Sequence, residues 1–186
     1  GWIGEEESRE GYIDTGGYVD FDAAVKFKGR LFNKAFDKFE SRSETVADFG
    51  IFCEQAADWL GDFAVFVVLR RQFDYQSWRE WPTVYRDRKT EALLEAKDRY
   101  SSLILKEKFL QYLFFRQWHK LKAYCNHRDI RLFGDIPIYM PFESVDVWAN
   151  PGQYKLDEEF KPMGLSGVPP DYFSATGQLW GHPVYN

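Results

Sequence analysis

Ile130-Arg131-Leu132-Phe133-Gly134-Asp135-Ile136-Pro137-Ile138-Tyr139 is the stretch that decides the fold. It is short, apolar and interrupted by Pro137. It reads as a strand whose C-terminal end carries Asp135. Immediately before it, residues 90–127 contain neither Gly nor Pro. There Leu93, Ala96, Tyr100, Leu103, Ile104, Phe109, Tyr112, Leu113, Phe115, Leu121 and Tyr124 recur at helical spacing. This predicts one long helix or two joined ones. A long helix running into a short apolar strand is the rhythm of an α/β fold.

Working toward the N-terminus, Trp78-Arg79-Glu80-Trp81-Pro82 reads as a loop or turn, since Pro82 biases Trp81 away from helix. Residues 63–69 form a continuous apolar run, which periodicity cannot divide between helix and buried strand. Its β-branched content favours strand and the adjacent pattern favours helix; we read it as helix. Phe49, Phe52, Cys53, Ala56, Ala57 and Leu60 give that adjacent helical pattern, preceded by a polar break at 41–45. Asp20 is a plausible N-cap for an amphipathic helix with Ala24, Val25, Leu31, Phe32, Ala35, Phe36 and Phe39 on its apolar face, interrupted by Gly29. Residues 1–19 are rich in Gly and acid, with a turn signal at Gly16-Gly17, and read as a connecting or surface segment.

Toward the C-terminus the texture changes. Residues 141–186 carry Pro141, Pro151, Pro162, Pro169, Pro170 and Pro183, and no helical period survives. A loop of that length inside a compact chain is functional or disordered. Phe142, Trp148, Tyr154, Phe160, Tyr172, Phe173, Trp180 and Tyr185 argue against disorder. The division that follows is a helical part at 1–129 and a strand with a long loop at 130–186.

Composition narrows the function classes. The 186 residues are 45% hydrophobic and 28% charged, a globular balance. Acids outnumber bases 29 to 24, for a net charge of −5, against the basic excess of a general nucleic-acid binder. No run of about 18 apolar residues exists, so no membrane-spanning helix is predicted. Cys53 and Cys125 lie far apart and suit two thiols in a reducing cytoplasm. Aromatic residues reach 19%, which builds either a large core or flat surfaces on which rings stack.

The usual cofactor signatures are absent. There is no G-x-G-x-x-G, no G-x-x-x-x-G-K-[ST] and no G-x-S-x-G. Cys125-x-His127 has no second pair, and neither a metal nor another cofactor is expected. Two features remain. Asp135 sits where α/β barrels place active-site groups, or else caps a turn. Residues 171–183 mix aromatic faces with hydrogen-bonding side chains, as a polyhydroxylated sugar requires, or else pack a loop on its own rings.

Three blocks carry a resemblance: Gly134-Asp-Ile-Pro-Ile-Tyr139, Ser144-Val-Asp-Val-Trp-Ala-Asn-Pro151 and Gly167-Val-Pro-Pro-Asp-Tyr-Phe-Ser-Ala-Thr-Gly-Gln-Leu-Trp-Gly181. In order and spacing they closely resemble the amylomaltases, the 4-α-glucanotransferases (disproportionating enzymes) of glycoside hydrolase family 77. Trp78-x-x-Trp81-Pro82 and Leu113-Phe-Phe-Arg-Gln-Trp118 fit the same family upstream. The resemblance implies an α/β fold, part of a (β/α)8 TIM barrel with helical insertions, helix-rich within this chain. It implies a retaining transfer of α-1,4-glucan segments between maltooligosaccharides, with no nucleic-acid or membrane partner and a cytoplasmic setting.

By position, the resemblance makes Asp135 a barrel-strand aspartate close to the donor sugar, hydrogen-bonding its hydroxyls or supporting the catalytic arrangement rather than attacking. It places Tyr172, Phe173, Gln178 and Trp180 on a loop beside the groove, stacking on glucan and shielding the intermediate. His182 stands where the family has Asn, and Pro141-Phe142-Glu143 also departs from its pattern. The nucleophilic Asp in an Arg-x-Asp-His context, the acid/base Glu and a third Asp are expected after Asn186, so no catalytic residue is expected within 1–186. The chain therefore reads as an internal fragment, inactive alone. The alternative is a glucan-binding module without catalytic carboxylates.

Overall fold

A computed structural model of the chain describes residues 2–9, 17–41 and 47–186. Gly16 and residues 42–45 of the expected polar break lie outside the described residues. Gly17 adopts φ 97°, consistent with a turn at that point.

Helix α1 (Glu5–Arg9) is short and acidic. The segment around it does more than connect. Trp2 meets Phe39 and Phe109 edge-on at 5.8 and 5.5 Å, because it closes an aromatic cluster. Helix α2 (Phe21–Glu40) starts as predicted, with Asp20 Oδ1 accepting from Ala23 N–H at 2.9 Å. It passes through Gly29 unbroken, since one Gly costs a helix only about 1 kcal/mol. Its N-terminal apolar residues Phe21 and Val25 face solvent, while Ala35, Phe36 and Phe39 are buried.

Helix α3 (Ala47–Gln55) ends earlier than the 49–60 pattern implies, and a turn separates it from α4 (Leu60–Gln72). The apolar run 63–69 is helical. It shows no period because α4 is covered on most sides: Leu60, Ala64, Val65, Phe66, Val68 and Leu69 are all buried. A 3-10 turn (Trp78–Glu80) and α5 (Thr83–Arg86) follow, with Trp81 extended before Pro82. The long helical signal resolves into α6 (Thr90–Arg99) and α7 (Ser101–Asn126), which change direction at Tyr100.

Two cores result. One gathers Phe36, Phe39, Phe49, Phe109 and Tyr112 from α2, α3 and α7. The other gathers α4, Trp78, Trp81, Ala96 and Ile104 with Val147, Trp148 and Tyr154. Phe66 lies 5.5 Å from both Trp81 and Trp148. The indole N–H groups are satisfied by backbone: Trp78 donates to Phe142 O at 2.8 Å, Trp148 to Tyr85 O at 3.1 Å. Arg88 lies over Trp148 at 4.3 Å and donates to Asp62 at 2.7 Å. Between the cores, Arg71 pairs with the buried Glu107 at 2.5 Å, joining α4 to α7.

Residues 130–139 differ from the sequence reading. They carry no strand hydrogen bonds, and Phe133 (103%), Ile136 and Ile138 are exposed. The cause is pairing. A parallel strand is held by neighbours on both edges, and among the described residues none pairs with this segment. The closed barrel is therefore not present among the described residues; the chain is a helix-rich α/β assembly.

The long loop also holds regular structure. Helix α8 (Val145–Ala149) is one turn, capped by Ser144 Oγ. Strands β1 (Leu165–Val168) and β2 (Gln178–Pro183) form an antiparallel hairpin, the one sheet among the described residues. Its connection is closed by Asp171 Oδ1, which accepts from Phe173 N–H (2.9 Å) and Ser174 N–H (2.8 Å). Gly177 has φ 74°, and a Cβ there would sit 2.5 Å from Val168 O.

Two substitutions test this packing. Trp148→Ala is expected to lower stability by about 3–5 kcal/mol in chemical denaturation. A loss under 1 kcal/mol would contradict the central place given to this ring. Gly177→Ala is expected to cost about 1–3 kcal/mol and to accelerate amide exchange over residues 171–177. Unchanged exchange there would show that the turn does not need glycine.

Candidate functional site

The residues singled out by sequence fall on two neighbouring pieces of chain. Asp135 lies in the unpaired segment 130–139. It is exposed, and its Oδ1 accepts from the next backbone N–H, that of Ile136, at 2.9 Å. Tyr172, Phe173, Gln178 and Trp180 lie on the hairpin.

The hairpin residues form two pairs. At the tip, Tyr172 and Phe173 are 97% and 90% exposed and meet edge-to-face at 5.7 Å. The Asp171 turn holds the backbone beneath them, so two bare rings stand out from an ordered connection. At the base, Trp180 Nε1–H donates to Gln178 Oε1 at 3.0 Å. That bond engages the one polar edge of the indole. Its ring remains 38% exposed. An aromatic face beside an amide is suited to the apolar C–H face and the hydroxyls of one sugar ring.

One contact joins the two pieces. Tyr139, at the end of the Asp135 segment, lies 6.3 Å from Trp180 and stacks on Tyr185 at 5.7 Å and 18°. Tyr185 in turn packs on the buried Tyr154 at 5.2 Å. Burial pushes the Tyr154 phenol above its ordinary value of 10.0, and Tyr185 and Asp146 act in the same direction, which keeps it neutral. Sequence reading did not single out Tyr139. The one signal was its place at the end of Gly134-Asp-Ile-Pro-Ile-Tyr139, which periodicity does not weigh.

The departures at Phe142 and Glu143 have a structural role here. Phe142 O accepts the Trp78 indole proton, and Glu143 Oε2 accepts from Trp78 N–H at 3.2 Å. They fasten the segment after Tyr139 to the helical core. Glu143 also borders a cleft of about 600 Å³ between α4 and α8, lined by Trp59, Phe63, Arg70 and Asp146 among others. His182 is half-buried in β2. Among the described residues no group of three or more His, Cys, Asp or Glu is arranged to hold a metal ion. No described helix is long and apolar enough to cross a membrane.

Comparison with known proteins adds identity to this geometry. A 4-alpha-glucanotransferase from Synechocystis sp. is 44% identical over 171 residues, covering 90% of this chain and 34% of that protein. One from Thermus thermophilus is 41% identical, covering 91% of this chain and 34% of its own length. A rice protein named 4-alpha-glucanotransferase, chloroplastic/amyloplastic, is 38% identical, covering 91% and 29%. The chain thus spans about a third of the length of these curated relatives. Among solved structures, an amylomaltase from Streptococcus agalactiae in complex with acarbose superposes with a TM-score of 0.89 at 32% identity, covering all of this chain and 38% of that one. The model of glycoside hydrolase family 77, described as 4-alpha-glucanotransferase, matches residues 3–186, and the chain belongs to that family.

Proposed function

We propose that this chain serves a 4-alpha-glucanotransferase as part of its sugar-gripping surface, with maltooligosaccharides as donor and acceptor. The observation that carries the reading is the pair of bare rings at the tip of an ordered hairpin, in a chain of this family. Large exposed aromatic side chains on a fixed turn are unfavourable in water unless a partner covers them. A glucan chain provides both the apolar C–H faces and the hydroxyls that this surface matches.

In this reading the reaction is a retaining double displacement. A carboxylate attacks the anomeric carbon and the glycosidic oxygen leaves with a proton from a second carboxyl group. That group then takes the proton of an acceptor 4-hydroxyl as it displaces the enzyme carboxylate. The two carboxyl groups of such a pair stand roughly 5–5.5 Å apart. We assign both, and the third Asp, to sequence beyond Asn186. Asp135 hydrogen-bonds donor hydroxyls, Gln178 does the same from the hairpin, and Trp180, Tyr172 and Phe173 stack on sugar rings. Covering the glycosyl-enzyme with these rings excludes water and favours transfer over hydrolysis.

The same reading makes 130–139 a strand of a (β/α)8 barrel, paired on both edges by other parts of the enzyme. Residues 1–129 are then its helical part and residues 130–186 the strand with its active-site loop, both in one catalytic domain. No cofactor is required. The free thiols of Cys53 and Cys125 fit a reducing cytoplasm, although the rice relative is named for the chloroplast or amyloplast.

Glucose release from maltotriose tests the assignment. The polypeptide as its gene encodes it is expected to release glucose and longer maltooligosaccharides, and residues 1–186 expressed alone are expected to release none. Asp135→Asn in the gene-encoded polypeptide is expected to lower kcat/KM by about ten- to a hundredfold, the loss of one hydrogen bond to a charged group. Glucose from residues 1–186 alone would contradict the location of the carboxylates. Maltotriose binding without turnover by the gene-encoded polypeptide would favour a binding module.

A further inference from the structure

Four rings form a row from the core to the exposed face of the hairpin. Tyr154 is buried in the core built around α4 and Trp148. Tyr185 packs on it, Tyr139 stacks on Tyr185, and Trp180 packs on Tyr139. The Tyr185 end is fastened by backbone. Lys155 N–H donates to Val184 O at 2.9 Å, and Asn186 N–H donates to Gln153 O at 3.0 Å. Asn186 Nδ2–H adds bonds to Gly152 O at 2.7 Å and Tyr154 O at 3.2 Å. The hairpin's return strand therefore runs into a stretch that is tied to the core.

The segment carrying Asp135 has no such ties. It lacks strand hydrogen bonds, and its side chains from Ile130 to Ile138 are exposed. Tyr139 is the first residue after them that is partly covered; Met140 and Phe142 then pack against the core built around α4 and Trp148. Tyr139 is thus the point at which this segment meets the hairpin.

We propose that Tyr139 is a positioning residue for glucan binding: wedged between Trp180 and Tyr185, its ring fixes the facing of the Trp180 indole and anchors the C-terminal end of the segment that carries Asp135. This rests on the glucanotransferase reading and adds to it a residue that need not touch the sugar. The indole has its N–H on Gln178, and the ring packed against it adds a second constraint. A phenyl ring provides that constraint as well as a phenol does. A flexible aliphatic side chain does not, because it lets the indole rotate.

The test compares Tyr139→Phe, Tyr139→Leu and Tyr139→Met in the gene-encoded polypeptide. Readouts are KM and kcat for maltotriose disproportionation, Kd for maltoheptaose by calorimetry, and the melting temperature. Tyr139→Phe is expected to match the wild type within about twofold. The Leu and Met variants are expected to raise both KM and Kd by about five- to tenfold, with a smaller change in kcat, while still melting cooperatively. Wild-type affinity in the Leu and Met variants would overturn the proposal. So would a Phe variant as impaired as Leu, which would mean that the hydroxyl itself binds sugar. Loss of a melting transition in both aliphatic variants would overturn it too, placing Tyr139 in the folding core. A wild-type polypeptide that neither binds maltoheptaose nor releases glucose would instead defeat the glucanotransferase reading, and that result is read before any variant.

Discussion

The rest of the molecule depends on the burial of Trp148. This ring comes from a one-turn helix in the part of the chain poorest in regular structure, yet it is 0% exposed. It packs against Phe66 and Trp81, donates to Tyr85 O, and is covered by the Arg88 guanidinium. A helix as short as α8 has no stability of its own. It exists because Trp148 and Val147 occupy the core made by α4. Trp78 works in the opposite direction, reaching from the helical part to Phe142 and Glu143. These crossings hold the irregular C-terminal third in a defined place, and the hairpin stands on it.

Several elements could be read directly from sequence. The Asp20 cap, the apolar face of α2 around Phe36 and Phe39, and the helical span from Thr90 onward follow from local rules that tertiary packing did not override. Other elements were illegible for physical reasons. The run 63–69 has no period because α4 is surrounded. Helix α8 and the 3-10 turn at Pro151–Gln153 are too short for a pattern. The hairpin was hidden because glycines 167 and 177 serve a close backbone approach rather than a strand pattern. Residues 130–139 carry no strand hydrogen bonds among the described residues for a different reason. Their composition specifies a buried strand, while strand formation requires partners that none of the described residues provides.

The candidate site divides in the same way. Aromatic and amide residues of the Gly167–Gly181 block were visible as types suited to sugar. Their arrangement was not: only coordinates place Tyr172 and Phe173 at a tip and Trp180 with Gln178 at a base. The row of rings through Tyr139, Tyr185 and Tyr154 links residues 31 to 46 positions apart, which no local pattern encodes. Membership of glycoside hydrolase family 77 joins the two levels. The chain carries both the exposed segment and the ordered loop, and it spans about a third of the length of its curated relatives.

The central claim is that the helical part and the 140–186 region share one core. Native-state hydrogen exchange on the 186-residue chain tests it directly. The amides of Trp148, Asn150 and Tyr154 are expected to open with the same free energy and denaturant dependence as those of Val68 and Leu69 in α4. Exchange of the first group at low free energy while α4 stays protected would mean that the platform under the hairpin folds separately, and the account would be wrong.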